Sequence, residues 1–129
     1  LESLYWSGVW LLEERPIENG ILVIPKEFAY ELRTTISVKD SLEAIIRYLE
    51  TNNIHEWVAE TEILIMPGYN LYFCDGIVTN FHQPKSTLLV LIAALIGDDW
   101  RRVYDTALAN DYRFLSYGDS SLLFKKKDI

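Results

Sequence analysis

The stretch Thr79-Asn80-Phe81-His82-Gln83-Pro84-Lys85-Ser86-Thr87 gathers two amides, an imidazole, an ammonium and three hydroxyls into nine residues. Nine apolar residues, 88–96, follow directly. That order reads as a strand running into a helix start. Pro84 suits the entry to a first helical turn, and Ser86 or Thr87 suits the N-cap. Capping explains those three residues. It does not explain why Asn80, His82 and Lys85 share the turn. A helix start presents unpaired backbone N–H groups and the positive end of a dipole, and Lys85 adds a cation. The combination would hold a carboxylate or a phosphate. His82 is the side chain of this turn suited to moving a proton near neutral pH.

A second constellation is Tyr112-Arg113-Phe114-Leu115-Ser116-Tyr117-Gly118-Asp119. Arg113 can clamp an anion in a bidentate manner. Tyr112, Phe114 and Tyr117 offer rings on which a base could stack. Gly118 would permit an unusual backbone angle, and Asp119 could accept hydrogen bonds from a ribose. The plainer alternative is a tight turn with aromatic core residues.

Other chemistries fit less well. A Ser116–His82–Asp119 triad lacks the strained G-x-S-x-G elbow that exposes a nucleophile, so a small hydrolase is not the leading reading. His55 and His82 lack metal-ligand spacing, so no metal site is expected. No glycine-rich phosphate loop or dinucleotide fingerprint occurs. His55 reads as a surface residue. Arg101, Arg102 and Lys125 to Lys127 read as solvated, with phosphate contact as the alternative.

These residues need elements to hold them. Leu1, Leu4, Tyr5, Gly8, Leu11 and Leu12 repeat at helical spacing until Pro16. A strand is expected near residues 21–24. Ser37-Val38-Lys39-Asp40 resembles a capping box, and Leu42, Ile45, Ile46 and Leu49 continue it as an amphipathic helix ending near Asn52-Asn53. Residues 62–66 form a short apolar run that reads as a strand. Asp75-Gly76 predicts a hairpin joining residues 69–74 to 76–81. The helix over 86–96 has no polar face and is expected to be buried all round. Gly97 closes it, and Asp98-Asp99 caps a further helix carrying Trp100, Val103, Tyr104, Ala107 and Leu108 on one face. Strands are predicted at 112–115 and 121–124. Helices and short strands alternate, which points to an α/β class with a local antiparallel hairpin.

The chain has 129 residues, half of them hydrophobic, enough for one α/β segment with a real core. The longest apolar run falls well short of the roughly 20 residues that span a bilayer, so no membrane association is expected. The single cysteine, Cys74, precludes an internal disulfide and fits a reducing, cytoplasmic setting. The net charge of −7 is lopsided: residues 1–62 carry 12 acids and 5 bases, and the remainder is neutral. The acidic half would repel a phosphate backbone, so any nucleic acid must meet the second half or further chain. The chain opens at Leu1, without an initiator and already inside a helical pattern, which suggests a piece of a longer protein.

Three stretches, "PGYNLYFCDG", "DGIVTNFHQPKSTLLVLIAALIG" and "YRFLSYGDSSLL", together resemble the C-terminal part of the S-adenosylmethionine:tRNA ribosyltransferase-isomerase family of queuosine biosynthesis. The opening "LESLYW" is similar to a helix of the same family. The resemblance is strong over residues 62–123 and fair over 1–12. Gln83 stands where the family usually has leucine, and Ser120-Ser121 where it has Ala-Met. Residues 15–58 match nothing in that pattern and look like a lineage-specific insertion.

The resemblance implies the C-terminal portion of a barrel-like α/β catalytic domain. The implied activity transfers and isomerises the ribosyl part of S-adenosylmethionine onto 7-aminomethyl-7-deazaguanine at the wobble position of tRNA, giving epoxyqueuosine. S-adenosylmethionine serves as ribosyl donor, without a metal. On that reading His82 and Asp119 are catalytic. Asn80, Lys85, Ser86, Thr87, Arg113 and Tyr117 contact the cofactor. The alternative is a non-catalytic interaction domain that keeps the fold. An isolated piece is expected to be inactive, because a barrel site draws on many strand ends, and to be prone to self-association through exposed strands.

Overall fold

In the computed structural model, described for residues 1–32 and 34–127, the backbone divides into two compact units, Leu1–Leu64 and Ile65–Ile129. Three chain reversals share one device. Helices α1 (Glu2–Leu12), α3 (Val38–Thr51) and α5 (Asp99–Ala109) each run past their cap into a left-handed residue, Glu14, Asn53 and Asp111. The next amide then reaches back to a carbonyl of the last turn: Arg15 to Trp10, Ile54 to Leu49 and Tyr112 to Ala107. This Schellman closure satisfies carbonyls that a helix end otherwise leaves open.

The first unit runs α1, β1 (Ile21–Ile24), α2 (Phe28–Glu31), α3 and β2 (Val58–Thr61), with β1 and β2 paired in parallel, Ile21 opposite Val58. Its core is aromatic: Trp6 and Trp10 meet the Phe28 ring edge-on at 5.5 and 4.9 Å. Helices α1 and α3 cross at Gly8, where an added Cβ would overlap Ser41 and lie 2.6 Å from its carbonyl carbon. The buried Ser41 hydroxyl donates to the Tyr5 carbonyl at 2.6 Å. Ser37 caps α3 by accepting from Asp40 N, as the capping-box reading anticipates. Two expectations change. Helix α1 is buried over a continuous stretch from Tyr5 to Trp10 rather than along one stripe, while Leu1 and Leu12 are exposed. The apolar residues 62–66 are irregular, and the polar Val58–Thr61 forms the ladder instead.

The second unit contains β3 (Gly76–Asn80), α4 (Thr87–Ile96), α5 and β4 (Ser120–Phe124). Strands β3 and β4 are antiparallel, with Ile77 opposite Leu123 and Thr79 opposite Ser121. The α/β class and the antiparallel pair therefore hold, but the expected hairpin does not. Residues 69–74 are irregular, with a bend at 72–73, and β3 takes its partner from forty or more residues downstream. Asp75 is drawn into that pairing: its carbonyl accepts from Lys125 N at 2.8 Å and its carboxylate pairs with Lys125 Nζ at 2.7 Å. Residues 112–115 are likewise irregular.

The core of this unit is Phe81, Ile92, Leu95, Ile96, Tyr104 and Ala107, with Ile77, Phe114 and Leu123 packed against it. Helix α4 is not enclosed on every side: Leu88 is half exposed, and the buried residues Ile92, Leu95 and Ile96 mark one face. Ser86 caps it and Gly97 ends it at φ +62°, both as expected. No helix among the described residues is long and apolar enough to cross a membrane.

Candidate functional site

The site builds outward from Phe81, which leaves β3 as a fully buried ring. Tyr104, Tyr112 and Phe114 surround it at centroid distances of 5.4, 5.8 and 5.5 Å. Its carbonyl accepts from Leu115 N at 2.9 Å, tying the 112–119 loop to the strand end. Phe114 is thus a core ring rather than an open stacking surface. Tyr117 stands almost wholly exposed and is open to stacking, while Tyr112, beside Phe81, is about half exposed.

Asn80, the last residue of β3, joins the two constellations. Its Nδ2 donates toward Gly118 O, Asp119 O and Ser120 Oγ at 3.3, 3.4 and 3.2 Å. Antiparallel register places Asn80 opposite Ser120, so the two segments meet at the same end of the ribbon. Within the loop, Arg113 N–H donates to Asp119 Oδ2 at 2.7 Å, and Asp119 N–H returns a bond to Arg113 O at 2.8 Å. The Arg113 guanidinium lies 3.7 Å from Asp119 Oδ1. Asp119 therefore spends much of its acceptor capacity bracing the loop. Gly118 has an ordinary backbone angle. Its reason is close approach: an added Cβ would overlap Arg113 O and lie 2.6 Å from the Arg113 carbonyl carbon.

His82 is half-buried at the strand-to-helix junction. Its Nε2 lies 2.8 Å from Thr79 Oγ1, and its backbone N–H donates to the Tyr104 hydroxyl at 2.9 Å. Ring and backbone are each fixed by a separate partner. Neither Thr79 nor Tyr104 is assigned a role by sequence reasoning. Tyr104 is visible only as one member of an amphipathic face; the remaining clue is that a buried phenol must find a partner for its hydroxyl.

Lys85 precedes the cap at φ +63°, an uncommon conformation for a residue with a side chain, and it is exposed. Ser86 Oγ accepts from Leu89 N at 3.4 Å. Among the described residues no carbonyl accepts from the Thr87 or Leu88 amides, so the helix start keeps donors for an anion. Asn80, Arg113 and Asp119 are thus brought together; His82 joins them through β3, and Lys85, Ser86 and Thr87 follow at the entry to α4. Among the described residues no group of three or more His, Cys, Asp or Glu side chains could hold a metal ion.

Comparison with known proteins bears on this arrangement. A family model described as queuosine biosynthesis protein matches residues 12–123. The S-adenosylmethionine:tRNA ribosyltransferase-isomerase of Roseobacter denitrificans is 47% identical over 88 residues, 64% of this chain and 25% of that protein. Its counterpart from Cereibacter sphaeroides is 55% identical over 71 residues, 54% of this chain and 20% of that one. A crystal structure of the S-adenosylmethionine tRNA ribosyltransferase of Thermotoga maritima aligns with a TM-score of 0.49 at 32% identity, covering 92% of this chain and 38% of that one. The chain spans about a quarter of the length of the curated relatives it matches. The family match over most of its residues shows that the chain belongs to the queuosine biosynthesis protein family.

Proposed function

We propose that this chain forms one wall of the site in which a longer, barrel-like enzyme transfers and isomerises the ribosyl moiety of S-adenosylmethionine. The acceptor is 7-aminomethyl-7-deazaguanine at the tRNA wobble position, and the product is epoxyqueuosine. The names of the relatives support the donor and the tRNA acceptor. The observation that carries the reading is the Asn80 amide, which joins the His82 turn to the Arg113–Asp119 loop across nearly forty residues of chain. Two separately recognisable motifs thereby become one surface.

The chemistry makes three demands. A proton must leave the carbon beside the sulfonium, a proton must reach departing adenine, and the methionine carboxylate must be held. His82 is the proton-transfer group, oriented by Thr79 and anchored through Tyr104. Lys85 and the amides at Thr87 and Leu88 hold the carboxylate, with Ser86 fixing the turn. Tyr117 stacks on a base, and Asn80 fixes the loop that carries it. Asp119 acts through Arg113, holding the loop and presenting the guanidinium to the nucleoside. Residues 15–58 are a lineage-specific insertion in this scheme, the whole enzyme works in the cytoplasm, and the piece alone is inactive and self-associates.

His82→Ala in the full-length enzyme is expected to lower kcat by about 10²- to 10⁴-fold, the usual range for a general acid or base. Unchanged turnover would remove His82 from the chemistry. Isothermal titration of the 129-residue chain with S-adenosylmethionine tests the wall itself: heat of binding that disappears in Arg113→Ala supports it, and absent heat in the unaltered chain counts against it.

A further inference from the structure

Lys125 to Lys127 differ from the solvated tail that the sequence suggests. Lys125 N–H bonds to Asp75 O at 2.8 Å, and Lys126 N–H bonds to Leu95 O at 3.0 Å. The run is docked along the second unit. There it lines a cavity of about 550 Å³ together with Tyr69, Asn70 and Leu95. None of the residues assigned to the cofactor wall lines this cavity.

The charges beside it form short, separate ion-pair groups. Lys125 pairs with Asp75 at 2.7 Å, and Lys126 reaches Asp99 at 3.9 Å. Asp99 is shared with Arg102 at 3.5 Å, and Arg101 pairs with Asp98 at 3.3 Å. Among the described residues three lysines and no carboxylate line the cavity, whereas residues 1–64 carry twelve acids against five bases. Exposed ion pairs of this kind contribute little to stability and exchange readily for another anion. The Asn70 amide adds a neutral donor, and Leu71, Ala94 and Leu95 supply an apolar floor.

We infer that this lysine-lined cavity is a docking groove for the phosphodiester backbone of RNA, separate from the cofactor wall. Phosphate contacts position a nucleic acid without reading its sequence, and lysines on a docked strand extension suit that task. The inference rests on the proposed tRNA substrate and adds the surface that meets it.

The test is fluorescence anisotropy of labelled tRNA with the 129-residue chain at 50 and 200 mM salt. The double variant Lys126→Ala, Lys127→Ala is expected to bind about tenfold more weakly at low salt, with a salt slope shallower by about two. The arginine double variant, which keeps both charges, retains binding, and Lys39→Ala in the acidic unit changes nothing. Alanine variants that bind as well as the unaltered chain, or no binding at all, overturn the inference. Vesicles containing phosphatidylserine that bind as tightly as tRNA assign the groove to a lipid surface and overturn it too. S-adenosylmethionine titrated into the same samples separates the two readings. Cofactor binding without a lysine effect sinks the groove alone. Lysine-dependent tRNA binding without cofactor binding sinks the cofactor wall alone.

Discussion

The two units of this chain solve the same packing problem with different materials. In Leu1–Leu64 the interior is made where two helices cross, Gly8 against Ser41, with tryptophan and phenylalanine rings filling the space beside the crossing. Net charge there is strongly acidic. In Ile65–Ile129 the interior is made where a strand end meets a distant loop, and one ring, Phe81, touches three other aromatics and carries the backbone bond to Leu115. Acids and bases balance there. A helix crossing needs close backbone approach and little else. A junction between a strand end and a loop leaves polar side chains at its rim, and Asn80, His82, Arg113 and Asp119 occupy that rim. The unit whose interior lies at a strand-end junction is the one that collects the candidate chemistry.

That contrast predicts unequal sensitivity. Phe81→Ala should be the most damaging, lowering the stability of the second unit by about 3–5 kcal/mol, as truncation of a buried aromatic does. Amide exchange should rise across β3, β4 and residues 112–119 together. If exchange rises at Phe81 alone, the ring is not the hub described. In the first unit the corresponding weak point is a gain of volume. Gly8→Ala drives a methyl group into the Ser41 backbone, and the upper end of the overpacking range, about 3 kcal/mol, is expected. A denaturant melt showing no loss would mean that α1 and α3 slide apart at small cost. Next comes Gly118→Ala, at about 1–3 kcal/mol. Its sharper readout is S-adenosylmethionine affinity, because the added Cβ overlaps the Arg113 carbonyl that receives the Asp119 amide.

How much of this was legible in the sequence follows from the range of the forces involved. Capping and closure are local, so Ser37, Ser86, Asn53 and Gly97 stand where their residue types indicate. Strand partners are not local. Asp75-Gly76 has the composition of a hairpin turn, yet it opens β3 against β4, because alternation in residues 120–124 matches the inward side of β3 and Lys125 captures Asp75. Strand β2 gives no apolar alternation at all, being exposed at every position, and its ladder with β1 is a tertiary fact. In the candidate site the motif residues were legible by type. Their supports were not: Thr79, Tyr104 and the reason for Gly118 depend on contacts made across 3 to 22 residues or on backbone approach within a turn.

The smallest effect separates packing from chemistry most cleanly. Thr79→Val keeps the β-branched shape that a strand accommodates and removes only the hydroxyl that meets His82 Nε2 at 2.8 Å. Ser121 Oγ still donates to the Thr79 backbone carbonyl at 3.2 Å, so the ladder at that position survives. Stability should change by no more than about 1 kcal/mol, the net worth of one hydrogen bond. The imidazole, however, loses the partner that selects its tautomer and ring orientation, a detail set by hydrogen bonding rather than by packing. Nitrogen-15 correlation spectra of the chain should show a changed tautomer balance at His82, and turnover of the full-length enzyme should fall by about tenfold, a part of what a general acid or base supplies. Spectra and turnover that both stay as they were would show that the Thr79 hydroxyl sets neither the tautomer of His82 nor its chemistry.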